Sequence, residues 1–73
     1  MGYKVRKWSD SNARPYDVVY EDLQHNNVHY QPGVEFSTEA LAEHHRTSLV
    51  IAFTADSVNF IRKHWPIDGA ITE

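Results

Sequence analysis

Two stretches in the first half of the chain alternate between apolar and polar residues, as a β-strand with one buried face does. They are YDVVYEDL and VHYQPGVEF, and the turn-forming residues between them predict a hairpin. A shorter alternation at residues 3–8 predicts another strand ahead of the hairpin. The expected core faces comprise Tyr16, Val18 and Tyr20 in the first hairpin strand and Val28, Tyr30, Val34 and Phe36 in the second.

The length of the hairpin loop decides which side chains meet, because a shift of one residue turns a whole strand over. A three-residue loop, residues 25–27, pairs Tyr16 with Phe36 and brings the two apolar faces together. A two-residue loop would turn the Tyr16 face away from the core. We therefore predict the longer loop, with Asn27 in a left-handed conformation. Pro32 then lies at an edge or a bulge.

The second half of the chain predicts two helices with a strand between them. TEALAEHH can begin at a cap formed by Ser37 or Thr38, and Thr54 can cap a second helix that Pro66 ends. Between them, SLVIAF is an unbroken apolar run, typical of a strand covered on both faces. The alternative is a single helix from Ser48 to Trp65.

These elements predict one α+β domain over residues 1–73, in the order β-β-β-α-β-α. The sheet is small and mostly antiparallel, and both helices pack on one of its faces. A chain this short buries roughly 60% of its unfolded surface, so its core is marginal. The absence of cysteine excludes disulfides and cysteine-ligated zinc. The remaining supports are good packing, for which nine aromatic residues are available, a metal bound by histidine and carboxylate, or self-association as a homodimer. No apolar run could span a membrane and no signal peptide is apparent, so we expect a cytoplasmic location.

Charge is distributed unevenly along this chain. Residues 1–15 carry four basic side chains and one acidic side chain, whereas residues 16–45 carry six acidic side chains and no Lys or Arg. The predicted register places Asp17 opposite Glu35 on the outer face, and like charges in that arrangement cost stability. Three explanations are open: neutralisation by the first strand, an exposed face for a basic partner, or a divalent-ion or histidine-linked site.

Four of the five histidines lie in the segment that lacks Lys and Arg. The predicted register places His25 in the loop and His29 on the outer face, while His44 and His45 lie at a helix end. Their spacing matches no common zinc site, so we predict no metal and no cofactor. Nearby carboxylates favour the imidazolium form, so the pattern favours a response to pH near 6 over metal binding.

Catalytic motifs are not found in this sequence. It has no cysteine nucleophile, no G-x-S-x-G and no glycine-rich phosphate loop. Ser57 and His64 lie nearly two turns apart on the second predicted helix, too far for a dyad. Asp17 and Glu35 lie on the outer face of a small sheet, which offers no pocket. We predict that the protein is not an enzyme.

The sequence predicts a binding or regulatory protein that contacts a protein partner with a basic surface through its acidic sheet face. Imitation of nucleic-acid phosphates is one form that this contact could take. The alternative is a nucleic-acid contact through basic and aromatic residues of the first strand, although the pI of about 5.9 argues against it. The partner-binding residues are Asp17, Glu21, Glu35, Glu39 and Glu43, and the alternative uses Lys4, Arg6, Lys7 and Trp8.

Overall fold

The structure, a computed structural model, describes residues 2–68 as a three-stranded antiparallel sheet with two helices packed against it. The predicted α+β class is confirmed, with the order β-β-β-α-α. The first strand pairs with the second, which pairs with the third. We call the helix-covered face of the sheet the inner face and the opposite one the outer face. The elements are β1 (Gly2–Lys7), β2 (Tyr16–Asp22), β3 (Asn27–Phe36), α1 (Glu39–Ile51) and α2 (Ala55–His64).

The strand predicted in SLVIAF is wrong, because α1 continues through most of this run. Thr47 and Ser48, expected to break the helix, donate their hydroxyl hydrogens to carbonyl oxygens one turn earlier, at 3.0 and 3.2 Å. These bonds keep both side chains compatible with the helix. Ile51 is 81% exposed, so the run is not a buried strand. The chain leaves the helical conformation at residues 52–54, so the single-helix alternative is wrong as well.

The predicted helix starts are confirmed. The hydroxyl oxygen of Thr38 accepts the backbone N–H of Leu41 at 3.3 Å, and Thr54 accepts that of Ser57 at 3.2 Å. Each threonine therefore satisfies a donor that the first helical turn would otherwise leave unpaired. The second helix ends at the residue before Trp65, where Pro66 follows as predicted.

The hairpin keeps the predicted register only at its open end. There Asp17 lies opposite Glu35, as predicted, but two residues further along β2 Val19 lies opposite Tyr30. Over this interval β3 advances five residues and β2 only two, so β3 carries three extra residues. The extra residues form a bulge that includes Gly33, whose φ of 77° is a conformation that glycine adopts without steric cost.

The bulge reverses the orientation of the loop end of β3, because an odd number of extra residues exchanges the two faces. Val28 and Tyr30, predicted in the core face, lie on the outer face opposite residues of β2 that also point outward. His29, predicted outside, is 2% exposed on the inner face opposite Tyr20. Pro32 lies within the bulge, as predicted.

The hairpin loop has four residues, 23–26, rather than three. The backbone N–H of His25 donates to the carbonyl of Asp22 at 3.1 Å, and that of Asn26 donates to Leu23 at 3.3 Å. Asn26 has a φ of 55°, so it adopts the left-handed conformation that was predicted for its neighbour Asn27. Two overlapping turns therefore replace the single predicted turn.

Residues 66–68, which we call the C-terminal strap, run along the free edge of β3. The N–H of Tyr30 donates to the carbonyl of Pro66 at 3.2 Å, and the N–H of Asp68 donates to the carbonyl of Val28 at 2.7 Å. The chain thus passes from the helix layer around the edge of the sheet and delivers Asp68 to the outer face. The strap was not predicted from the sequence.

The core lies between the sheet and the helices and is built largely from aromatic rings. Tyr20 is fully buried, and its ring lies 5.3 Å from that of Tyr3 in an edge-on arrangement and 6.1 Å from that of Phe53. Ala42 of α1 and Ile61 of α2 close the layer. Within residues 2–68, neither helix combines the length and apolar character needed to cross a membrane.

Candidate functional site

Three charged side chains form a row across the strands on the outer face, because Arg6, Asp17 and Glu35 lie opposite one another in β1, β2 and β3. Arg6 donates through Nε and Nη2 to both carboxylate oxygens of Asp17, at 3.1 and 2.7 Å. Asp17 is only 5% exposed. The first strand therefore neutralises Asp17 with a two-pronged ion pair, one of the three explanations that the charge pattern left open.

The same strand neutralises a second carboxylate. Lys4 Nζ lies 2.9 Å from Glu21 Oε2. Lys7 lies at the end of β1, and its Nζ atom is 3.3 Å from Oδ1 of Asp10 in the following loop. Each basic residue of the predicted nucleic-acid site thus contacts a carboxylate of the protein itself. Trp8, the aromatic member of that site, is 41% exposed beside the outer face.

The strap adds a carboxylate that the sequence analysis missed. Asp68 accepts a hydrogen bond from Arg6 Nη1 through its Oδ2 atom. Arg6 therefore bridges two carboxylates that are far apart in the chain. No local sequence pattern predicts this contact, because the strap is hydrogen-bonded to a strand that lies 36 to 40 residues earlier in the chain.

The outer face keeps an excess of negative charge despite these ion pairs. Lys4 and Arg6 contribute two positive charges, against four negative charges from residues on β2, β3 and the strap, which leaves a net charge of −2. Glu35 forms no ion pair with any cation of residues 2–68. The acidic members of this face are Asp17, Glu21, Glu35 and Asp68.

A depression of about 390 Å³ opens on the outer face next to the carboxylate of Glu35. Its walls combine two aromatic rings, three carboxylates and one guanidinium. We call it the outer-face depression, and it is lined by Arg6, Trp8, Asp17, Tyr30, Glu35 and Asp68.

Two predicted partner-binding residues lie away from this depression. Glu39 and Glu43 belong to α1, which packs on the inner face. They were predicted to border the acidic outer face, and they do not. Glu43 also forms an ion pair with Arg46, one turn further along the helix. The predicted five-residue acidic surface therefore divides between the two sides of the sheet.

A second charged cluster, centred on the buried carboxylate of Asp22, lies at the loop end of β2. Asp22 is 1% exposed and accepts hydrogen bonds from Arg62 Nε at 2.7 Å and Nη2 at 3.3 Å. His25 Nδ1 lies 3.1 Å from the same carboxylate. The hydrogen bond from Arg62, assisted by that with His25, lowers the pKa of Asp22 to about 2, against the opposing effect of burial.

His29 lies beside this cluster without joining it. Its Nε2 atom is 4.0 Å from Asp22 Oδ2, and neither ring nitrogen has a hydrogen-bond partner among the described residues. The hydroxyl of Tyr20, on the opposite strand, is also buried and has no hydrogen-bond partner in the part of the chain that the structure describes. Within residues 2–68, no three His, Asp or Glu side chains converge in an arrangement that could bind a metal ion.

A further depression of about 480 Å³ lies on the helix side of the molecule. Leu49, Phe60 and Trp65 supply much of its wall, together with Tyr3 from the sheet. Its lining is more apolar than that of the outer-face depression and offers no comparable charge pattern that would select a partner.

Comparisons of the chain with protein families, characterised proteins and solved structures found no match.

Proposed function

We propose that this chain is a non-enzymatic binding module that contacts a protein partner with a basic surface through the outer face of its sheet. The observation that carries the proposal is the uncompensated carboxylate of Glu35, beside a depression on a face with a net charge of −2. A face with surplus negative charge attracts a basic partner, accelerates the encounter and repels partners of its own sign. We also propose a cytoplasmic location, which suits a chain without cysteine.

The nucleic-acid alternative receives less support from the geometry. A nucleic-acid phosphate would have to compete with Glu21 for Lys4 and with a two-pronged carboxylate for Arg6. The negative charge of the same face would also oppose the approach of a phosphate backbone. The opposite relationship is more compatible with this surface, since a face with surplus carboxylates can imitate phosphates toward a nucleic-acid-binding protein.

Chromatography on two oppositely charged supports tests the proposal. Wild-type protein is applied at low salt to immobilised poly-L-lysine and to immobilised heparin, and each column is eluted with a salt gradient. We expect retention on poly-L-lysine alone. Glu35→Gln should elute at clearly lower salt than Asp56→Asn, a matched control that removes one negative charge from the start of α2.

Equal elution of the two variants would show that only net charge matters, and the outer face would lose its role. Retention on heparin that disappears in Lys4→Ala would favour the nucleic-acid alternative instead.

A further inference from the structure

We infer, building on the proposed function, that the outer-face depression receives a single arginine side chain of the partner protein. This arginine would anchor the proposed interface, because the charge, the walls and the size of the depression all suit a guanidinium group.

The net charge of the depression favours the binding of a cation. Among its lining residues, one guanidinium faces three carboxylates, which leaves a net charge of −2. Arg6 does not repel an incoming cation strongly, because Asp17 and Asp68 both accept hydrogen bonds from it. Both uncompensated charges of the outer face therefore border this depression.

Among residues 2–68, two of the carboxylates that line the depression keep acceptor atoms without a cation partner. Glu35 has no cation partner among residues 2–68, and Arg6 contacts Asp68 through one of its two oxygens, Oδ2. A planar guanidinium carries five N–H donors in a fixed fork and can reach carboxylates on different sides of a site at once. A lysine ammonium offers a compact charge without that fork, so it matches this arrangement less well.

The aromatic walls favour the same ligand. Trp8 and Tyr30 both line the depression, and Trp8 keeps much of its ring accessible. A guanidinium is weakly hydrated and stacks on aromatic faces, a contact that gains strength where water is excluded. At about 390 Å³, the depression is near the lower limit of small-molecule pockets, which suits one side chain better than a large ligand.

Titration by two-dimensional ¹H–¹⁵N NMR tests the inference. The probes are the capped tripeptide acetyl-Gly-Arg-Gly-amide and two analogues, one with lysine and one with citrulline, a neutral relative of arginine. We expect the arginine peptide to shift the Trp8 indole N–H and the Glu35 amide, with a dissociation constant on the order of 1 mM. The lysine peptide should bind several-fold more weakly, and the citrulline peptide should not bind.

Variants locate the effect. Glu35→Gln and Trp8→Ala should each weaken binding of the arginine peptide at least several-fold, whereas Asp56→Asn should bind like wild type. The dispersion of the spectra reports whether each variant is folded. Trp65, the second tryptophan, lies in the helix-side depression, so its indole signal should stay unchanged.

Three results would overturn the inference: equal shifts with citrulline, equal affinity for lysine and arginine, or shifts centred on Trp65. If no tripeptide binds but Glu35→Gln still elutes from poly-L-lysine at lower salt than Asp56→Asn, the arginine site fails and the proposed function stands. If both experiments fail, the proposed function fails with it.

Discussion

Asp22 and Arg62 are forty residues apart in the chain, and two hydrogen bonds of 2.7 and 3.3 Å join them at the loop end of the hairpin. The carboxylate belongs to β2 and the guanidinium to α2, so this pair connects the second helix to the sheet. The strap that follows α2 is held on β3 by backbone hydrogen bonds and reaches the outer face through Asp68. By holding α2 on the sheet, Asp22 therefore helps to position the strap, which carries Asp68 to the candidate site.

Replacement of Asp22 by asparagine should destabilise the fold. The substitution keeps the size of the side chain but removes the charge that Arg62 and His25 contact at a buried position. Loss of a charge-assisted hydrogen bond there should lower the free energy of unfolding by about 1–3 kcal/mol. Urea denaturation followed by circular dichroism measures the change. Asp56→Asn, an exposed change of the same chemistry, should stay within about 0.5 kcal/mol of wild type, and similar losses in both variants would contradict the assignment.

Acid should remove the contribution of Asp22. In the folded protein the pKa of Asp22 is about 2, below its ordinary value of 3.8. Its contribution to the free energy of unfolding is therefore fully present above pH 3.8 and is lost as the pH falls through about 2. The shift corresponds to roughly 2 kcal/mol. Urea denaturation of wild type at several pH values between 5 and 2 should show this loss, and Asp22→Asn should lack that part of it. Parallel pH curves for the two proteins would contradict the prediction.

Replacement of His29 by phenylalanine should be neutral or stabilising. The ring is buried, and neither nitrogen has a hydrogen-bond partner within residues 2–68, so the native imidazole carries an uncompensated desolvation cost. An apolar ring removes that cost, and we expect a gain of up to about 1 kcal/mol if the larger ring fits. Thermal and urea unfolding measure it. A loss of more than about 2 kcal/mol would mean that the histidine makes an interaction that phenylalanine cannot replace.

Substitutions at Gly33 should report on the bulge. An added Cβ at this position would meet no atom within 4 Å, so any cost must come from the positive φ. Gly33→Ala should lose about 1 kcal/mol, and Gly33→Asn should lose less, because asparagine tolerates this conformation better. Equilibrium unfolding of the two variants gives the comparison, and equal losses would show that the bulge does not need a left-handed residue.

The response to pH predicted from the histidines stays a prediction. Elution from poly-L-lysine between pH 8 and 5.5 tests it, because protonated histidines reduce the negative charge available to a basic partner. We expect wild type to elute at progressively lower salt as the pH falls. An unchanged elution position across this range would remove the hypothesis.

Local rules predicted the parts of this protein that depend on neighbours in the sequence. Thr38 and Thr54 begin the helices because a hydroxyl oxygen can reach an unpaired N–H three residues later, whatever the rest of the fold does. The pairing of Asp17 with Glu35 was also correct, although the register predicted near the loop was not, because the three extra residues of the bulge restore the predicted register at the open end. The strand predicted over residues 48–53 failed, since a short apolar run suits a helix or a strand equally well.

The sequence by itself determined the three strands, the helix caps and the segregation of charge, because these depend on alternation, spacing and composition over a few residues. Only the tertiary structure decided that Tyr30 points outward and His29 inward, and that Asp68 reaches Arg6. The physical reason is that both features depend on residues far apart in the sequence. A bulge with an odd number of extra residues exchanges the two faces of β3 with little change in the local sequence pattern. The strap brings its carboxylate from residue 68 to a side chain in the first strand. The candidate site results from both.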